Sequence, residues 1–117
     1  MTNFIRLSKQ EGARVELHDQ LALTGAEISI NTIPAGGCVP FVHAHQNNEE
    51  IYYILSGSGK AVIDDDKVCL QQGDWLKIDP AGKRQLFAGE NQELSYLCIQ
   101  VKAHSLKRYT ADDAIIV

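Results

Sequence analysis

The stretch GCVPFVHAHQNNEEIYYILSG, Gly37 to Gly57, holds the one dense set of metal-ligand side chains in this 117-residue chain. His43 and His45 lie two apart. In an extended strand, where side chains alternate faces, that spacing puts both imidazoles on one side. The polar run Gln46, Asn47, Asn48, Glu49 reads as turn chemistry and leads into the strand-forming run Ile51 to Leu55. A hairpin over that turn brings Glu50 back beside the histidines. Two neutral imidazoles and one carboxylate suit a divalent transition ion such as iron, manganese, nickel, cobalt or zinc, with coordination positions left open. The competing reading is a pair of solvated histidines on an exposed strand.

The frame around the pair decides between these readings. Five residues separate Gly37 from His43, one separates His43 from His45, four precede Glu50 and six precede Gly57. This spacing resembles the first motif of the cupin superfamily, G(X)5HXH(X)3-4E(X)6G, at every fixed position. After fifteen intervening residues, Gly73 opens a run ending in Pro80, Ala81 and Gly82. This run is similar to the second cupin motif, G(X)5PXG(X)2H(X)3N, with six residues instead of five before the proline. Counted from Pro80 and Gly82, the third family histidine falls on Gln85 and the asparagine on Gly89. The resemblance covers residues 25 to 102. It implies an all-β fold, a cupin-type jelly-roll barrel (double-stranded β-helix) of two antiparallel sheets. It also implies a metal site of His43, His45 and Glu50, with Gln85 as a fourth ligand through its amide oxygen or as a hydrogen-bond partner of a metal-bound water.

Composition sets the outer bounds. A chain of 12.9 kDa with 44% hydrophobic and 22% charged residues is expected to form one domain, 1–117, with an ordinary apolar core. A formal charge of −4 gives no general attraction to nucleic acid or to an anionic membrane. The three cysteines, Cys38, Cys69 and Cys98, are isolated and odd in number, which argues for a reducing compartment and for small buried residues. The first twelve residues lack the apolar region of a signal peptide, so the expected location is cytoplasmic.

Short alternating spans at Phe4–Leu7 and Ala13–Leu17 are expected as edge strands, and in small cupins an N-terminal strand of this kind often packs on a second subunit, which implies a homodimer. Gly25–Ile33 and Val39–His45 follow as strands, with Phe41 sharing the parity of the histidines. Ser56 to Gly59 reads as a flexible turn, and Asp64 to Lys67 as a tight hairpin turn. If Gln85 faces the cavity, Phe87 does too and Arg84 faces away. Thr110 to Asp113 reads as one short helical turn, and the apolar end Ile115–Val117 is expected to dock. Tyr52 shares parity with Glu50 and is the candidate catalytic group of the pocket, or else a core aromatic. His18 and His104 lie outside the motifs.

Two functions remain open. One is a metal-dependent enzyme acting on a small oxygen-bearing molecule as a dioxygenase, isomerase or lyase, with the ion polarising the substrate. The other is a non-catalytic sugar- or small-molecule-binding sensor.

Overall fold

Runs of β-branched and aromatic residues with a two-residue apolar period condense into seven strands among the described residues. They are β1 (Arg14–Glu16), β2 (Glu27–Ile33), β3 (Asn48–Ile63), β4 (Asp66–Gln71), β5 (Trp75–Ile78), β6 (Arg84–Ala88) and β7 (Leu94–Lys102). The computed structural model describes residues 2–107 and 110–117. No helix of the described residues is long and apolar enough to cross a membrane.

All strand pairs are antiparallel, and β3 belongs to two sheets. Its first half pairs with β7 and β5, with β2 and β1 continuing beyond β7. Its second half pairs with β4 on one side and β6 on the other. The result is an all-β jelly-roll barrel. Ile54, Leu70, Ile78, Leu86 and Leu94 pack in its centre. Each such side chain contributes roughly 1.5–3 kcal/mol by leaving water.

The crossing from one sheet to the other happens where a flexible turn was expected. Ser56 to Gly59 lies inside β3, and the register slips by one residue between Ile54 and Ser56. Before this bulge the buried positions are even (Glu50, Tyr52, Ile54), and afterwards the buried residue is Ala61. One extra residue bends the strand, raises its twist and swaps its inward parity. Gly57 has φ +80, and a Cβ there would stand 1.7 Å from the Glu93 carbonyl oxygen. At Gly59 a Cβ would come within 2.1 Å of the Phe87 carbonyl oxygen. These glycines allow close backbone approach, which a run of Ser and Gly does not distinguish from a loop.

Other expectations need correction. Phe4–Leu7 is not a strand, and among the described residues 2–12 make no backbone hydrogen bond to the barrel. Phe4 and Ile5 are 74% and 54% exposed. Val39–His45 is not a regular strand either. Pro40 has no N–H to give, and the segment is held to β6 by isolated bridges, Cys38 to Phe87 and His43 to Arg84. Thr110–Asp113 forms a turn closed by Asp113 N–H on the Thr110 carbonyl, without a helix, and Ile115–Val117 is exposed. The aspartate turn is as expected: Asp64 and Asp65 both have positive φ, as a two-residue hairpin requires.

Of the cysteines, only Cys98 is buried; Cys38 and Cys69 are exposed. Cys69 sits on the solvent side of β4 between half-buried Val68 and buried Leu70, while Cys98 shares the inward parity of Leu94 and Tyr96. Iodoacetamide at neutral pH is therefore expected to label two thiols of the native protein, and the third only after denaturation. Mass spectrometry of the digested adducts reads this directly, and prompt labelling of Cys98 would contradict the barrel packing.

Gly57→Ala is expected to lower stability by roughly 2–5 kcal/mol, the sum of left-handed backbone strain and overpacking. Gly73→Ala, at φ +91 with no atom within 4 Å of the new Cβ, costs only the backbone part, about 1–2 kcal/mol. Urea denaturation of the two variants separates these effects.

Candidate metal centre

Glu50 lies on the inward face of β3 and is 3% exposed. A carboxylate this deep must find donors or neutralise. Five side chains approach it. Arg84 Nη1 and the Tyr52 hydroxyl each donate to Oε1 at 2.6 Å. The Cys98 thiol donates to Oε2 at 3.3 Å, and His45 Nε2 stands 3.3 Å from the same oxygen. His43 Nε2 is 3.9 Å from Oε1.

The histidines arrive by backbone pairing. His43 N–H donates to the Arg84 carbonyl at 3.0 Å, and Arg84 N–H returns a bond to the His43 carbonyl at 2.9 Å. Two residues on, His45 N–H donates to the Pro80 carbonyl at 2.8 Å. Both rings thus project the same way from a segment that is extended although not a regular strand. One ligand atom from each of His43, His45 and Glu50 lies within 4.8 Å of the others. His43 Nδ1 and His45 Nε2 are buried with no hydrogen-bond partner, although His45 Nε2 is near Glu50. Proximity without hydrogen-bond geometry, at His45 Nε2 and Glu50 Oε2, is the arrangement expected of side chains directed at a common third partner. These residues fit a divalent transition ion bound by two imidazoles and a carboxylate.

Electrostatics agree. Burial pushes the Glu50 carboxyl up, but the hydrogen bonds from Tyr52, Arg84 and Cys98 outweigh it, so the group lies below its ordinary value and stays ionised. Burial, only partly offset by Glu50, lowers His43, which favours the neutral ring that binds metal. Burial and then the neighbouring carboxylate raise Tyr52 well above its usual range, and the same two causes push the Cys98 thiol up to about 12. Both are held as neutral donors to Glu50.

Gln85 does not join this group. β6 alternates with Arg84 and Leu86 buried, so Gln85 occupies the other face, where its amide donates to the Val39 carbonyl at 2.7 Å. Counting from Pro80 produced the error. Counting the motif spacing from Gly73 instead places the family histidine on Arg84, because the extra residue lies in the turn around Pro80 and is absorbed before β6 starts. Phe87, expected inward with Gln85, likewise leaves the inward face and lies under the Lys60 ammonium. Arg84 was thereby missed as a site residue, as was Cys98, whose parity with Tyr96 was the available signal. Phe41 is at the pocket, its ring 5.5 Å from that of His43. Tyr52 is both a core aromatic and a partner of Glu50. His18 and His104 are exposed and outside the cluster.

The donors open on a cavity of about 590 Å³ whose wall includes Asn31, Phe41, Tyr96 and Cys98. That is the size class of a small-molecule site, with apolar walls and a few convergent polar groups.

Comparison with known proteins agrees with the geometry. The Cupin domain family model matches residues 29–100. The crystal structure of a cupin protein from Bacteroides fragilis is 57% identical and superimposes with a TM-score of 0.94 over 100% of this chain and 99% of that one. A structure of a predicted oxalate decarboxylase from Thermotoga maritima is 26% identical, with a TM-score of 0.61 over 65% of each chain. An uncharacterized protein of Methanocaldococcus jannaschii is 33% identical over 69 residues, 59% of this chain and 55% of that protein, so the chain spans about half the length of this curated relative. With the family match covering more than half of its residues, the chain belongs to the cupin family.

Proposed function

We propose that this protein is a divalent-metal-binding cupin that acts on a small oxygen-bearing molecule, with His43, His45 and Glu50 as the metal ligands. The observation that carries this reading is the convergence of those three donors on one space, two of their buried nitrogens lacking a hydrogen-bond partner, at the edge of a small-molecule cavity. A bound ion would act as a Lewis acid toward a ligand oxygen. The protein's own residues fix the donors, line the cavity with the aromatic rings of Phe41 and Tyr96, and leave room for a ligand. Dioxygenase, isomerase and lyase chemistry all fit such a site. Tyr52 serves as a positioning group that holds Glu50, since its hydroxyl is committed to that carboxylate. A sensor that only binds the small molecule is the second reading, favoured by the scarcity of a free acid or base in the cavity.

We propose further that the protein is a homodimer. Val15, Ile30, Leu97, Tyr53 and Trp75 stand in one cross-strand row on the outer face of the first sheet, and Ile28, Ile99 and Ile51 form the next row. Residues 7–12 cover only one end of this face. A second copy bringing Phe4 and Ile5 onto the remainder would bury apolar area on both sides. The exposed thiols Cys38 and Cys69 fit a reducing, cytoplasmic compartment.

Two measurements test these readings. Metal analysis of protein purified without an affinity tag is expected to find one divalent ion per chain, and His43→Ala to lose it together with any turnover; a metal-free active protein would sink the mechanism. Light scattering at micromolar concentration is expected to give twice 12.9 kDa, against a single copy if the apolar face stays open.

A further inference from the structure

Arg84 has an unusual environment for a charged side chain. It is 0% exposed, and every arm of the guanidinium is engaged: Nη1 on Glu50 Oε1, Nε on the Gly82 carbonyl, and Nη2 on the carbonyls of Asp79, Pro80 and Gly82. The turn at residues 79–82 is thus folded around it. The backbone of Arg84 also carries the two hydrogen bonds that place His43. One residue therefore ties together two of the three proposed ligands. A guanidinium has no lone pair to offer a metal, so it holds this inward position of β6 without ligating.

Two consequences follow for the carboxylate. Oε1 already accepts from Arg84 and Tyr52, whereas Oε2, on the side of His45, accepts only from the weak thiol donor of Cys98, so Oε2 is the oxygen with capacity left for an ion. The charge balance also changes. Two neutral imidazoles, one carboxylate and one guanidinium carry no net charge, so a bound divalent ion keeps both its positive charges. Such a centre attracts an anionic ligand more than one with an uncompensated carboxylate does.

Resting on the metal reading above, we propose that Arg84 is a positioning residue that makes Glu50 a one-oxygen donor and supplies the charge that selects a chelating oxyanion as the ligand of this site. It stands where a fourth protein ligand would otherwise close the coordination sphere.

Cobalt(II) titration followed by visible absorption tests this, with acetohydroxamate as an anionic two-oxygen chelator and imidazole as a neutral ligand. Wild-type protein is expected to bind one cobalt with the weak bands of a five- or six-coordinate ion, and the bands to shift saturably with acetohydroxamate. Arg84→His adds an imidazole donor: cobalt should bind about tenfold tighter or more, with an altered spectrum and a smaller acetohydroxamate response. Arg84→Met removes the charge: acetohydroxamate should bind about tenfold more weakly while imidazole binds as before. Far-UV circular dichroism shows whether each variant folds. An unchanged cobalt spectrum and affinity in folded Arg84→His, or an equal loss for both ligands in folded Arg84→Met, overturns the proposal. If neither variant folds, the wild-type protein decides: a cobalt spectrum indifferent to acetohydroxamate overturns it. Failure of wild-type protein to bind cobalt overturns the metal reading itself, and this inference with it.

Discussion

The ion pair between Arg84 and Glu50 organises the interior of this barrel. Both groups are buried, and a buried charge is tolerated only when its partner and its remaining hydrogen bonds are in place. The structure satisfies that condition in full: three carbonyls of the turn at 79–82 surround the guanidinium, and Tyr52 and Cys98 complete the carboxylate. Removing one member of such a pair typically costs about 3–5 kcal/mol, because the other is left charged and unpaired. The apolar side chains around it fill space, but this pair ties the first half of β3, in one sheet, to β6 in the other.

The same pair explains how an irregular segment can hold ligands in position. Pro40 denies residues 38–45 a continuous ladder, and an unpaired stretch beside a cavity would be a poor place for two donors. At the two histidines, three backbone bonds, two with Arg84 and one with Pro80, supply the missing order. The histidines are thus placed by the residues that cage the guanidinium. Geometry at one donor is coupled to geometry at the others, which is what a site needs if its donors must stay within a few tenths of an ångström of a working arrangement.

The two faces of the first sheet serve different ends. The inner face presents Glu50, Tyr52, Asn31 and Cys98 to the cavity, a polar set that would be costly without mutual hydrogen bonds. The outer face presents rows of isoleucine, leucine and aromatic residues. A strand that alternates between these two demands reads as apolar on both sides. Ile51, Tyr52, Tyr53 and Ile54 are an example, two facing in and two facing out.

By itself the sequence determined that His43, His45 and Glu50 belong together, and its resemblance to a family motif implied an all-β fold. The first reading rests on local quantities, the two-residue period of a strand and the spacing of glycines and ligands, which survive whatever the rest of the chain does. Tertiary structure decided what local patterns cannot encode. Whether Gly57 and Gly59 make a turn or a crossing strand depends on the carbonyls of Glu93 and Phe87, more than twenty-five residues away in sequence. Whether Arg84 or Gln85 faces the ligands depends on how a turn absorbs one extra residue, since a slip of one position exchanges the two faces of β6. A buried arginine looks like a surface one in sequence, because what makes it tolerable, three inward carbonyls and a carboxylate on another strand, exists only once the chain has folded.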